Sequence, residues 1–222
     1  MQQKLIIVGC GGFGKEVLLR ALEVNALEAR FSVLGYCDDN PHKKGQLISG
    51  YPVLGSPEEV DADMPDKPAF ICSIGTNEVR ARVVQRVLGL GWIPVSIIHP
   101  SVIIDPEVEI GLGTYIGPKA IVCPNAKVGN HVLINIDVTI GHDAIIGDFA
   151  QVSPGGRVSG ASVLKEGAMM GSNAVIFQKK TIGRYATLGA CSFGMRNVPD
   201  GTTALGIPAR VALQNAVTGE TR

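Results

Sequence analysis

An aliphatic or methionine side chain recurs at every sixth position through the second half of the chain. The series is Ile98, Ile104, Ile110, Ile116, Val122, Val128, Ile134, Ile140, Ile146, Val152, Val158, Leu164, Met170, Ile176, Ile182 and Leu188. If about a third of positions carried such residues, chance would give this run at roughly 10⁻⁸, so the period belongs to the fold. Four residues after most of them stands a small or β-branched residue, as at Thr114, Ala120, Ala126, Ala144, Ala150, Gly156, Ala168, Ala174 and Ala186; Lys180 breaks that second rule. A helix needs apolar spacings of three and four, and a simple strand needs two. A spacing of six fits a short strand plus a corner, with the aliphatic residue inside and the chain turning at the small one. Three such units close one triangular coil. The series predicts about five coils with no inserted loop, each inward side chain stacked on its equivalent in the coil below.

The first ninety-odd residues follow another pattern. Apolar runs at 5–8, 31–37 and 69–74 alternate with helical stretches running to about Ala26 and from Glu78 to Leu88. Alternation of strand and helix implies a small parallel sheet. Residues 92–98 then lead into the repeats, which puts the domains at 1–96 and 97–222, the second ending in a C-terminal tail. Gly9, Gly11 and Gly14 form GxGxxG between the first strand and the first helix, with Gly12 and Phe13 between them. Such glycines allow a tight turn and let backbone amides approach a phosphate at the helix N-terminus. Asp38 and Asp39 end the second strand, where carboxylates accept hydrogen bonds from a ribose or a base; Gly75 and Asn77 follow the third. Three readings of the loop stand side by side: an NAD site, a nucleotide-sugar site, or a structural turn. The sheet lacks the second mononucleotide half of a dinucleotide fold, which counts against NAD.

Lys plus Arg and Asp plus Glu number 20 each, so nothing favours a nucleic-acid partner held by phosphate neutralisation. The five cysteines are scattered without a CxxC pair, which fits a reducing cytoplasm and predicts no zinc site. The apolar run at 4–8 is too short for a signal peptide, and no stretch approaches the ~20 apolar residues of a membrane span. The expectation is therefore a cytoplasmic protein without a metal. Among the four histidines, His42, His99 and His131 fit structural or solvated positions, His131 on the outside of a coil. His142 lies two after the inward Ile140, so it also points outward, and Asp143 beside it is placed to orient an imidazole.

A small Rossmann-like domain followed by a hexapeptide-repeat β-helix resembles the sugar O- and N-acyltransferases of the sialic-acid O-acetyltransferase and bacillosamine-pathway N-acetyltransferase type. The resemblance rests on the glycine loop, Asp38-Asp39, Gly75-Thr76-Asn77, His99-Pro100, Ile134-Asn135, His142-Asp143 with Ile146-Gly147-Asp148-Phe149, Pro154-Gly155 and Gly206-Ile207-Pro208-Ala209-Arg210. It implies a left-handed parallel β-helix, a homotrimer, acetyl-CoA as co-substrate and a nucleotide-sugar acceptor. It makes His142 the general base, with Asp143 orienting it and Asn135 near the reacting group. It places the oxyanion donor at Gly160 and contact with the acyl-CoA at Gln151, where many relatives carry histidine. Lys179, Lys180, Arg184 and Arg210 are candidates for the CoA phosphates. Phe13 also replaces a common family histidine, next to the sugar-nucleotide site. The implied reaction is N-acetylation of a nucleotide-linked 4-amino-4,6-dideoxyhexose by direct transfer. Its rivals are O-acetylation of a sialic-acid-type sugar and a non-catalytic nucleotide-sugar-binding protein. An acyl-cysteine route is less attractive, since neither Cys123 nor Cys191 has a neighbouring histidine in sequence.

Overall fold

The computed structural model describes residues 2–214; the expected C-terminal tail lies outside the described residues. Contacts divide the chain into two compact units. One is Met1–Pro100 with Leu112–Tyr115, and the other is Ser101–Gly111 with the chain from Ile116 on.

The first unit is a four-stranded parallel sheet. Its elements are β1 (Gln3–Val8), α1 (Gly12–Leu27), β2 (Phe31–Cys37), the short hairpin β3 (Leu47–Ile48) and β4 (Tyr51–Pro52), α2 (Pro57–Asp63), β5 (Ala69–Cys72), α3 (Asn77–Gly89) and β6 (Ile93–Pro94). The sheet order is β2-β1-β5-β6, and Val8 pairs with Cys37 on one side and Cys72 on the other. The four residues of β1 from Leu5 to Val8 and all of β5 are apolar and buried because helices cover both faces of such a sheet. The hairpin and α2 carry no strong pattern in the sequence. α2 is instead fixed locally by a capping box, in which Ser56 and Glu59 each bond the other's backbone amide.

The second unit is a left-handed parallel β-helix. Its strands are two residues long and pair 18 residues apart, Ile121 with Thr139 and Thr139 with Arg157. The face that starts at Ile103–Ile104 climbs through six strands to Phe193–Gly194, so the solenoid has about six turns rather than five. The extra level comes from a last coil that leaves the sixfold count: Val198 bridges Ile182 and Thr203 pairs with Thr187, each 16 residues on. The inward residues from Ile116 to Leu188 are buried, and Ile140 is fully so.

One expectation needs correcting. The chain does not turn at the small residue but one position earlier. Every sixth residue from Glu107 to Cys191 has a positive φ, most of them not glycine. The small residue that follows is buried, tucked inside the corner, where a larger side chain would compete with the stacked aliphatic column. His131 is one of these left-handed corner residues. It is buried and stacked on Phe149 of the next coil, with ring centroids 5.4 Å apart.

Candidate active site

The glycine loop of the first unit opens a cleft of about 400 Å³ at the C-terminal ends of β1, β2 and β5. Gly9, Gly11, Gly12, Phe13, Asp38, Asp39 and Gly75 all line it, while Asn77 is buried at the start of α3 and is not among the lining residues. This is the point where β1 and β5 send their connections to opposite sides, the usual ligand position of an open parallel sheet. Each glycine has its own reason. Gly9 has a φ of +99, and a side chain on Gly14 would run into the Gly9 carbonyl. Side chains on Gly11, Gly12 or Gly75 would meet nothing within 4 Å, so there the bare backbone faces open space. Neither N-cap residue, Gly11 of α1 nor Thr76 of α3, makes a side-chain cap bond, and an uncapped helix N-terminus favours an anion.

The acidic pair is more occupied than its sequence implies. One oxygen of Asp38 accepts from the Cys10 thiol at 2.9 Å and from Lys43 at 3.0 Å, and the other accepts from the Asn40 amide. Burial works to raise the Asp38 pKa, but these hydrogen bonds outweigh it and hold the carboxyl below its usual range. Asp39 pairs with Arg86 at 2.5 Å, and Arg86 also reaches Glu58. Lys43 and Arg86 were not singled out from the sequence, because their carboxylate partners come from other elements. Phe13 packs edge-to-face on Tyr115, with centroids 5.1 Å apart.

On the β-helix, His142 projects outward and its side chain is 67% exposed. Asp143 takes the left-handed corner, φ 58, a conformation that aspartate tolerates better than most residues. That corner turns its carboxylate back onto its neighbour, and Nδ1 of His142 lies 2.7 Å from the Asp143 carboxylate. The other Asp143 oxygen accepts from Asn125, the corner residue one coil below. The His142 contact first, and then the Asn125 amide, hold the Asp143 carboxyl below its usual range. An ionised Asp143 fixes the proton on Nδ1 and leaves the Nε2 lone pair facing outward.

One coil above, a side chain on Gly160 would collide with Nε2 and Cε1 of the imidazole. The Gly160 amide has no hydrogen-bond partner among the described residues, so it is available as a donor beside the imidazole. The same edge continues upward, since the Lys179 amide bonds the Gly160 carbonyl. It ends at Arg196 and Asn197, which line a hollow of about 430 Å³ together with Arg210 and Pro208. One edge of the solenoid therefore carries His142, the Gly160 amide and the cations Lys179 and Arg196 in order. The sequence reading missed Asn125 and Arg196. Both sit on the His142 edge, and a count in steps of 18 from His142-Asp143 would have found Asn125.

The other candidates lie elsewhere. Arg184 is on the next edge, its amide held by Asp200. Lys180 is half-buried at the position that breaks the small-residue rule. Asn135 is on the edge preceding that of His142, and its side-chain oxygen accepts the Ile136 amide. Gln151 pairs between Leu133 and Met169, and its Oε1 is buried without a partner among the described residues. Burial, then Asp105, pushes the Cys123 thiol up, which disfavours it as a nucleophile. Among the described residues no cluster of histidine, cysteine and carboxylate is suited to a metal, and no helix is long and apolar enough to cross a membrane.

Residues 4–87 match the PglD N-terminal domain family. The chain is 30% identical over 210 residues to the GDP-perosamine N-acetyltransferase of Escherichia coli O157:H7, covering 92% of this chain and 94% of that one. It belongs to the hexapeptide-repeat sugar acyltransferases. Among solved structures of this family, the acetyltransferase domain of PglB from Neisseria gonorrhoeae in complex with acetyl coenzyme A superposes with a TM-score of 0.85. That match has 29% identity and covers 96% of this chain and all of that domain. The chain also matches an uncharacterized protein of Acanthamoeba polyphaga mimivirus at 28% identity, but spans only 23% of its length. The repeat edge that carries His142 and Gly160 is thus set in an acyltransferase.

Proposed function

We propose that this acyltransferase moves the acetyl group of acetyl-CoA onto the amine of a nucleotide-linked amino sugar, a 4-amino-4,6-dideoxyhexose, by direct attack. The observation that carries this reading is His142, held by Asp143 through Nδ1, with its Nε2 beside the unpartnered amide of Gly160. The amine must lose a proton as it attacks the thioester carbonyl, and Nε2 accepts it. The Gly160 amide receives the oxyanion that develops on the carbonyl. CoA then leaves as its thiol, taking the proton from the imidazolium. The basic groups further along the edge, Lys179, Arg196 and Arg210, meet the CoA phosphates. The E. coli relative's name points to acetyl transfer onto a nucleotide-linked amino sugar, and the acetyl coenzyme A in the gonococcal complex points to the same donor. The test is thiol release from acetyl-CoA against a panel of UDP-, dTDP- and GDP-linked amino sugars and free sialic acid. Turnover on sialic acid alone would replace this reading with O-acetylation, and no turnover on any would favour a binding protein.

The nucleotide of the acceptor binds in the glycine-loop cleft. Substituting Asp38 and Asp39 would test this poorly, since both are tied into internal ion pairs. Gly11→Leu is cleaner: the backbone φ of −72 accepts leucine, and the new side chain enters the open cleft. The acceptor KM is expected to rise at least ~10-fold while the acetyl-CoA KM stays constant, the pattern of lost remote binding. An unchanged acceptor KM in steady-state kinetics would remove the nucleotide from this cleft.

The active form is a homotrimer. His142 is largely exposed on a convex edge, and water exclusion requires a second surface. Sedimentation equilibrium should give three times the mass of one chain. A monodisperse, fully active monomer at micromolar concentration would refute a shared site.

A further inference from the structure

The cleft floor is shaped from beneath by two buried donors that the reaction itself does not use. Arg80, in the second turn of α3, is fully buried, and Ser73, just after β5, is 5% exposed. The Arg80 guanidinium donates to the carbonyls of Ile74, at 2.8 Å, and Gly75, at 3.4 Å. The Ser73 hydroxyl lies 3.0 Å from the Val8 carbonyl and 2.8 Å from that of Gly9. All four carbonyls belong to residues that line the cleft. The same hydroxyl fills the space that side chains on Gly9 or Gly14 would need.

A carbonyl oxygen facing a bound anion repels it, while an amide attracts it. Where a peptide's carbonyl is drawn into the protein, its amide is turned toward the opposite side. We propose that Arg80 and Ser73 are positioning residues for the acceptor: Arg80 draws the Ile74 and Gly75 carbonyls inward so that the amides of Gly75 and Thr76 face the anionic part of the nucleotide, and Ser73 pins the turn at Gly9, whose amide and that of Cys10 are bound to Cys37 and Asp38, so that the following backbone at Gly11 and Gly12 is presented to the cleft. A buried guanidinium suits this task, because one of its nitrogens, Nη1, reaches two successive carbonyls and a guanidinium keeps its donors across the working pH range. The bare backbone at Gly11, Gly12 and Gly75 then lets the anion approach those amides. The inference rests on the acceptor reading of the cleft.

The test uses the full-length enzyme with Ser73→Ala, Arg80→Lys and Arg80→Met, and UDP, dTDP and GDP as calorimetric probes. Binding of one probe by the wild type, lost in Gly11→Leu, establishes the cleft as the nucleotide site. No binding by the wild type overturns both the acceptor reading and this inference. With the site established, Ser73→Ala and Arg80→Lys should each weaken that probe on the order of 10-fold, and Arg80→Met on the order of 100-fold. The acceptor KM should follow, with kcat and the acetyl-CoA KM unchanged, and lysine should stand between methionine and the wild type. Unchanged probe affinity in a folded Ser73→Ala and Arg80→Lys overturns the inference while leaving the cleft reading intact. So does a parallel loss in kcat and both KM values that tracks melting temperature, the mark of a purely structural role.

Discussion

Replacing His142 with alanine is expected to lower kcat by about 10²–10⁴-fold, the usual worth of a positioned general base, with little change in the acetyl-CoA KM. The β-helix should survive, because the side chain is exposed and takes no part in the stacked core. Circular dichroism and sedimentation check that survival before the kinetics are read. The pH profile adds a second readout. In the native enzyme activity should rise with pH as the imidazole and the acceptor's ammonium lose their protons; in the variant only the ammonium limb should remain. Asp143 does not supply either limb. Its carboxyl is held below the usual range, so its contact with His142 is complete above an ordinary carboxylate's pKa and is lost only as pH falls through the lowered value. Asp143→Asn should therefore give a smaller defect, since the ring loses its orienting charge but keeps the base. A folded His142→Ala enzyme with near-normal kcat would move the search to Asn135 or to substrate-assisted deprotonation.

Gly160→Val should be nearly as damaging, for a reason that lies in the space around the imidazole. A β-carbon at Gly160 would be driven into Nε2 and Cε1 of the ring. The imidazole is the free end of an exposed side chain, so it will swing away at small cost to folding. The Gly160 backbone does not lie in the left-handed region, so valine introduces no such strain. The base is then displaced from the donor amide, and the thioester's approach to that amide is obstructed. The expected result is a kcat loss of at least ~10²-fold with a melting temperature close to that of the wild type. Gly160→Ala should fall between. Normal turnover by a folded Gly160→Val enzyme would show that neither the His142 position nor the Gly160 amide matters to the reaction.

The glycine-loop cleft and the His142 edge were legible to different degrees. The glycine loop announced itself because Gly9, Gly11 and Gly14 serve one local turn. The engagement of Asp38 did not, since Cys10 lies 28 residues away and meets it only when β1 and β2 pair. Similarly, His142 and Asp143 are neighbours in sequence, and their contact follows from the pair itself. Asn125 and Gly160 join them from one coil below and one coil above, 18 residues away in either direction. The sequence left His131 as a structural or solvated residue on the outside of a coil; its burial against Phe149, 18 residues on, was not visible in the period.

By itself the sequence determined the solenoid, because a stacked coil repeats one packing problem at every level. The unbroken series from Ile98 to Leu188 is the direct record of that repetition. It likewise determined the small parallel sheet, whose apolar strands and glycine turn are local features, and it placed His142 and Asp143 side by side. Only the tertiary structure decided where the chain turns, at the left-handed residues from Glu107 to Cys191 rather than at the small ones after them. It also decided that His142, Gly160, Lys179 and Arg196 share one edge, and that Arg80 and Ser73 lie beneath the glycine-loop cleft. The physical reason is the same in each case. A period records what every coil has in common, whereas a site is made from the differences between coils and between strands, which meet only when the chain is folded.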